Sequence, residues 1–181
     1  VKPEKYVLLD RDGVINYDSD DYIKSPDEWI PIESSLEAIA LLNKNGFKVV
    51  VISNQSGIAR GYYSLETLTE IHNKLHQLLA QKGGKITAIY FCPHAPTDNC
   101  DCRKPKTGLL ELFSQEHRIA LQNLFFVGDS LSDIKAAQAV AALPLLVKTG
   151  KGLKTLSENP HLDVPVFENL YDATKFILAP S

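Results

Sequence analysis

The sequence predicts an α/β fold: a three-layer sandwich in which a central parallel sheet is covered on both faces by helices. Short apolar runs at 6–9, 47–52, 86–91, 124–127 and 145–147 lead the reading, most of them stopping at a polar cluster as buried strands do. Between these runs, segments with apolar residues at helical spacing alternate with the strands along the chain. The length of 181 residues suits one domain with a real core and is too short for two ordinary ones. No internal repeat, low-complexity tract or linker interrupts it, so residues 1–181 are expected to form a single domain.

The first strand, Tyr6-Val-Leu-Leu, runs straight into Asp10-Arg11-Asp12-Gly13. Alternate side chains of an extended segment share a face, so Asp10 and Asp12 can lean towards one site. Two carboxylates that close repel each other unless a cation or a proton intervenes. Taken alone, the stretch reads equally well as a solvated Asp-Gly turn. Residues 14–31 follow as a long functional loop carrying Asp18, Asp20, Asp21 and the single Trp29. Ser34-Ser35 is the expected N-cap of a helix whose apolar face is Leu36, Ile39, Ala40, Leu41 and Leu42, ending near Gly46.

The second strand, 47–52, ends at Ser53-Asn54-Gln55-Ser56-Gly57. Ser64 opens a long helix striped by Leu65, Leu68, Ile71, Leu75, Leu78 and Leu79, stopped by Gly83-Gly84. The third strand, 86–91, leads into a cysteine segment, and 108–117 reads as a short helix. The fourth strand, 124–127, ends at Gly128-Asp129, where Ser130 and Asp133 match a capping box opening a helix through Ala142. A fifth strand at 145–147, a short sixth near Val166 and a final helix through Leu178 complete the alternation.

Charged residues make up 23% of the chain and the net charge is -3, which gives no support to a nucleic-acid or anionic-membrane surface. No apolar run approaches a membrane span, and the N-terminal stretch lacks the apolar core of a secretory signal. The expected location is the cytoplasm, and the expected state a monomer. All three cysteines, Cys92, Cys100 and Cys102, fall in one segment with His94. Clustered thiols in such a protein point to metal. Four N or S donors complete a tetrahedral zinc site with no open position, so a structural Zn2+ is expected in a loop, 92–102, inserted after the third strand.

Four clusters, Asp10-x-Asp12, Ser53-Asn54, Arg103-Lys104 and Asp129-x-x-x-Asp133, each follow a strand or the zinc loop behind one. In a parallel sheet these ends share one edge. Together they offer carboxylates for Mg2+, a hydroxyl and amides for phosphate oxygens, and a cation for developing charge, which is the equipment of phosphoryl transfer. This set, in this order and across nearly the whole chain, resembles the haloacid-dehalogenase superfamily of phosphatases. The resemblance implies a Rossmann-like domain with Asp10 as nucleophile and Asp12 as general acid and base. It implies catalytic Mg2+ on the carboxylates of Asp10 and Asp129 and the backbone carbonyl of Asp12. Ser53 and the Asn54 amide would hold the phosphoryl group, with Lys104 offsetting charge. Asp133 is read equally as a partner of Lys104 and as a helix cap.

A zinc loop before Arg103-Lys104-Pro105 resembles the capless branch that holds the heptose-1,7-bisphosphate 7-phosphatases and the histidinol-phosphate phosphatase domains. Both readings stay open, but Asn54-Gln-Ser-Gly-Ile-Ala-Arg60-Gly61 and the loop from Asp18 to Trp29 favour the heptose family, which serves lipopolysaccharide precursor synthesis. The substrate is then a small phosphorylated sugar, and the residues implied around it are Arg11, Asp18, Tyr22, Asn54, Gln55, Ser56, Arg103 and Ser130. Some members of the family carry lysine where this chain has Ser130. A second phosphate needs a second cation, for which Arg103 stands ahead of Arg60 and Lys151. A phosphorylated signalling receiver uses similar groups, but its phosphorylated aspartate follows the third strand, which here ends at Cys92. His72 and His76 lack the glutamate of a zinc-protease helix and read as surface or partly buried helix residues. Thr149-Gly-Lys-Gly lacks the spacing of a P-loop.

Overall fold

A computed structural model describes residues 4–180. Its strands are β1 (Lys5–Leu9), β2 (Phe47–Asn54), β3 (Ala88–Cys92), β4 (Phe125–Gly128), β5 (Leu143–Val147) and β6 (Val166–Phe167). Its helices are α1 (Glu33–Lys44), α2 (Leu65–Gln81), α3 (Gly108–His117), α4 (Leu131–Ala139), α5 (Gly152–Glu158) and α6 (Leu170–Leu178). The strands form one sheet in the order β3-β2-β1-β4-β5-β6, every adjacent pair parallel.

Alternation along the strands divides the core in two. Val7, Leu9, Val49, Val51, Val127 and Val147 face one way, against apolar residues of α1, α2 and α6. Tyr6, Leu8, Val50, Ile52 and Phe126 face the other way, against Leu109, Leu110 and Phe113 of α3 and Ala136 and Ala137 of α4. A sheet buried on both faces needs apolar side chains at successive positions, which is why these strands read as unbroken runs. Each such side chain, fully buried, stabilises the fold by roughly 1.5–3 kcal/mol.

The strand order also sets the site. From β1 the chain crosses to β2 on one side, whereas β4 lies on the other, so the C-terminal ends of β1 and β4 open a crevice between them. Leu9 is in register with both Val51 and Val127, so the residues just beyond these three positions share one edge.

Several boundaries differ from the sequence expectation. Ser34 and Ser35 lie inside the first turn of α1, whose N-cap is Ile32. The buried Ser35 hydroxyl instead donates to the Val14 carbonyl at 2.6 Å, tying the helix to the loop behind β1. The helix after Asp129 stops at Ala139, because Ala141 turns the chain at φ +59° into a strand that starts at Leu143. α5 is an element the sequence pattern does not announce, for it has no apolar stripe and is held through the Thr155 hydroxyl on the Asp129 carbonyl. Ser64, Ser130 and Asn169 accept amide hydrogen bonds as helix N-caps, the Ser130–Asp133 pair as a full capping box. Trp29 is fully buried in the 14–31 loop, and the ammonium of Lys74 on α2 donates to the carbonyls of Pro26 and Trp29 at 2.7 and 2.8 Å. No helix among the described residues is long and apolar enough to cross a membrane.

Candidate active site

A cleft of about 300 Å³ opens at the sheet edge beyond β1 and β4. Asp10 enters it directly from β1, its amide still bonded to the Val127 carbonyl of β4 at 2.9 Å. One carboxylate oxygen, Oδ1, accepts from the Arg11 amide at 2.8 Å and lies 3.1 Å from the Lys104 ammonium. Lys104, only 3% exposed, also donates to Asp133 Oδ1 at 2.6 Å and to the Ile52 carbonyl at 2.8 Å. The other Asp133 oxygen accepts from the amides of Asp129 and Ser130 and from the Ser130 hydroxyl. The two roles read for Asp133 are therefore one arrangement, a helix cap whose second oxygen orients Lys104.

Asp129 is fixed from behind. Its Oδ2 accepts the Lys151 amide at 2.9 Å, and its carbonyl accepts the Thr155 hydroxyl at 2.8 Å. A methyl group at Gly13, where φ is +84°, would collide with Asp129 Oδ2 and with Gly150, so the Asp-Gly step is required by close approach. Carboxylate oxygens of Asp10, Asp129 and Asp133 lie within 4.8 Å of one another. Burial and then the charge of Asp133 push the Asp10 carboxyl well above the usual range, against the pull of Lys104. The same two causes push Asp129 up to about 7. Burial disfavours the Lys104 ammonium, but Asp10 and Asp133 outweigh it and raise its proton affinity. Three carboxylates against one ammonium is a set of hard oxygen donors short of positive charge, which fits a small divalent cation.

Asp12 stands in different company. Its Oδ1 accepts from Arg11 Nε and Nη2 at 2.9 and 2.8 Å and from Asn16 Nδ2 at 2.9 Å. Its Oδ2 accepts from Gln55 Nε2 at 3.1 Å. Burial would raise this carboxyl, but the charge of Arg11 and the hydrogen bonds from Asn16, Arg11 and Gln55 hold it below its ordinary value. Tyr63 donates to Gln55 Oε1 at 2.6 Å, and its phenol is pushed up to about 12, chiefly by burial.

Asp10, Asp12, Lys104 and Asp129 all line the cleft, and Asp18, Tyr22, Asn54, Gln55, Ser56, Arg103 and Ser130 line it with them. Two residues expected to face substrate do not. Ser53 is fully buried, its hydroxyl accepting from Gln55 Nε2 at 2.8 Å. Arg11 is also fully buried and its side chain is absent from the cleft wall. Its guanidinium is spent instead on Asp12 Oδ1 and on His72 Nε2 of α2, behind the cleft. The Asn54 side chain bonds the backbone of Lys104 in both directions, at 3.0 and 3.2 Å, and so staples β2 to the Arg103–Lys104 turn.

The cleft also takes in Arg60, Tyr63 and Lys151. The glycine tract at 149–152 was the available signal for Lys151: Thr149 donates to the Gly13 carbonyl at 2.6 Å, bringing that tract against the first strand end. Arg103 keeps one guanidinium nitrogen, Nη1, buried without a hydrogen-bond partner among the described residues. At the rim, the Tyr22 ring packs 5.0 Å from Tyr62, with the Arg60 guanidinium 5.9 Å from its centroid.

Beyond β3, donor atoms of Cys92, His94, Cys100 and Cys102 all lie within 4.8 Å of one another. Cys92 Sγ is 2.7 Å from Cys102 Sγ and 3.5 Å from Cys100 Sγ, and His94 Nδ1 is 3.3 Å from Cys102 Sγ. All three cysteines are free of disulfides. Three thiols and an imidazole converging on one point fit tetrahedral zinc, and four protein donors close the shell.

The family model described as polynucleotide kinase 3 phosphatase matches residues 7–145. A D-glycero-β-D-manno-heptose-1,7-bisphosphate 7-phosphatase of Pseudomonas aeruginosa is 53% identical over 164 residues, covering 91% of this chain and 92% of its own. One of Neisseria meningitidis is 49% identical over 178 residues, covering 96% and 95%. Among solved structures, the D,D-heptose 1,7-bisphosphate phosphatase of Bordetella bronchiseptica, complexed with magnesium and phosphate, superposes with a TM-score of 0.93 at 45% identity. The match covers 96% of this chain and 98% of that one.

Proposed function

This chain belongs to the D-glycero-β-D-manno-heptose-1,7-bisphosphate 7-phosphatase family of haloacid-dehalogenase phosphatases, and from that premise we propose the work of each residue in its cleft. The reaction is hydrolysis of the 7-phosphate ester of the heptose bisphosphate, in the supply of activated heptose for lipopolysaccharide. The observation that carries the reading is the pairing of Asp10 with Asp12 at one strand end, Asp10 Oδ2 making no hydrogen bond among the described residues and Asp12 Oδ2 holding only the one from Gln55.

Asp10 Oδ1 is engaged by Lys104 and the Arg11 amide, while Oδ2 makes no hydrogen bond among the described residues. That oxygen attacks phosphorus, forming an aspartyl-phosphate as the bond to the sugar oxygen breaks. The departing alkoxide takes a proton from Asp12. Asp12, then a carboxylate, takes a proton from the water that attacks phosphorus, which frees Asp10 and releases inorganic phosphate. The dianionic phosphate beside Asp12 raises its proton affinity above that of the free enzyme and so equips it as an acid. Lys104 offsets charge on Asp10 and the phosphoryl oxygens. Asp10, Asp129 and the Asp12 carbonyl would hold Mg2+, which supplies charge neutralisation on the phosphoryl oxygens. The Cys92–His94–Cys100–Cys102 set would hold structural Zn2+, fixing the turn that presents Arg103 and Lys104.

The unpartnered Arg103 nitrogen at the cleft wall supports a contact to the second phosphate, since a guanidinium grips phosphate through two hydrogen bonds. A small cleft lined by Asp18 and Asp20 suits a compact sugar bisphosphate and opposes a polynucleotide backbone. Three free thiols suit the reducing cytoplasm, and we take the working unit as a monomer. The test is phosphate release with Mg2+ from heptose 1,7-bisphosphate and histidinol phosphate at matched concentrations. We expect kcat/KM at least tenfold higher for the heptose ester. A preference for histidinol phosphate would overturn the substrate, and no release from either would overturn the chemistry.

A further inference from the structure

One buried group near the site has no part in the steps above. His72 lies on α2, 8% exposed, and its Nε2 stands 3.2 Å from Arg11 Nη1. Arginine has five N–H donors, no acceptor and no accessible neutral form, so His72 Nε2 must accept. The imidazole is therefore neutral, consistent with burial and then Arg11 holding it down to about 3. The guanidinium is a rigid fork, and fixing Nη1 fixes the plane of Nε and Nη2 as well.

Those two nitrogens decide which oxygen of Asp12 carries the proton. Oδ1 receives three N–H groups, two from Arg11 and one from Asn16, and has no lone pair left for a proton. Oδ2 receives one, from Gln55, and remains available to the cleft. If the fork tilted, Oδ1 would open and the carboxylate could rotate, so that neither oxygen was held towards the leaving group. Gln55 and Tyr63 guard the other side of the same fork, with Arg11 Nη2 3.4 Å from Gln55 Oε1.

We propose that His72 is a positioning residue for proton transfer: by accepting from Arg11 it holds the Asp12 carboxylate with Oδ1 closed and Oδ2 presented to the leaving oxygen. The proposal rests on Asp12 being the proton donor, and the experiment separates the two. An alkyl ester needs that proton, whereas p-nitrophenolate leaves without it, and kcat/KM reads only the steps up to the first irreversible transfer.

The magnesium-loaded protein is assayed on heptose 1,7-bisphosphate and p-nitrophenyl phosphate, as wild type, Asp12→Asn, His72→Leu and His72→Gln. Thermal melting checks that each is folded. Glutamine reaches as far as Nε2 and offers an oxygen to Arg11; leucine offers none. His72→Leu is expected to lose at least tenfold in kcat/KM on the heptose ester and less than threefold on the aryl ester. His72→Gln is expected to return the heptose value to within threefold of wild type. Equal losses on both esters, no loss on either, or a glutamine variant as impaired as leucine would each overturn the proposal. If Asp12→Asn itself spares the alkyl ester, the proton-donor assignment falls and this proposal with it. Should His72→Leu not fold, His72→Ala, which demands no new packing, carries the same comparison.

Discussion

Asp10 and Asp12 leave the same strand two positions apart, the first buried and the second half-buried, and their surroundings push them in opposite directions. On the Asp10 side, three carboxylates share one ammonium and negative charge is in excess. On the Asp12 side, one guanidinium and two amides satisfy a single carboxylate. The first half is short of positive charge; in the second the charge is already balanced, and Oδ2 holds a single hydrogen bond, from Gln55. Two neighbouring acids acquire separate roles through the partners their flanking chain supplies.

The strongest test of this contrast exchanges each acid for its amide. Asp10→Asn removes the attacking oxygen, and turnover is expected to fall at least about 10⁴-fold on any phosphate ester, the scale of losing a nucleophile from a coupled unit. Asp12→Asn is expected to lose about 10²–10⁴-fold on the heptose ester, the usual worth of general acid–base catalysis, and to lose less on an aryl ester. Steady-state phosphate release on the two esters reads both. Identical profiles would erase the division of labour.

Removing the cations comes next. Lys104→Met leaves buried carboxylates without their cation, which typically costs about 3–5 kcal/mol, and Arg11→Met is expected to cost less, because Asp12 is half-exposed and keeps Asn16 and Gln55. Bound as proposed, Mg2+ would place its charge on the carboxylates of Asp10 and Asp129 and not on the carboxylate of Asp12. Denaturant melts are therefore expected to recover part of the loss with Mg2+ for Lys104→Met and none for Arg11→Met. Equal recovery would mean that the two halves are not electrostatically separate.

The smallest effect is a slope with pH. The His72 imidazole titrates near 3 in the folded protein against 6.5 in the unfolded chain. Between those values the unfolded chain binds the extra proton, so stability falls as pH falls, by up to about 1.4 kcal/mol per pH unit from this group. The contribution is fully present above 6.5 and lost on acidification towards 3. His72→Gln is expected to flatten the denaturant midpoint between pH 6 and pH 4. Asp129, raised to about 7, works in the opposite sense in metal-free protein: between its unfolded value and 7 the folded state binds the extra proton. A profile unchanged by His72→Gln would show that the imidazole already titrates normally.

What the sequence made legible follows the same contrast. Asp10, Asp129 and Ser53-Asn54 each end an apolar run, and a parallel sheet must bring such ends to one edge. The candidate zinc donors are legible for a simpler reason, since all four fall within one short loop. Arg11 was not, because its direction depends on what α2 presents behind the strand end. His72 sits beside Ile71 and Leu75 in the apolar stripe, and nothing local announces that a guanidinium from β1 will meet it. The Lys151 amide and α5 escaped for want of periodicity; backbone groups and a threonine hydroxyl, not side-chain pattern, fit them to Asp129.

The pairing of β1 with β4 has a consequence for how the protein comes to exist. Leu9 lies beside Val127, and the Asp10 amide is bonded to the Val127 carbonyl, so the proposed nucleophile is held by a segment made long after it. During synthesis the first three strands and the zinc loop emerge with Asp10, Asp12 and Lys104 already present, but without Asp129 or Asp133. With the roles proposed above, a chain made only as far as the third strand lacks both Asp129 and the backbone partner that holds the Asp10 amide, so the late strand completes the site that the earliest one begins.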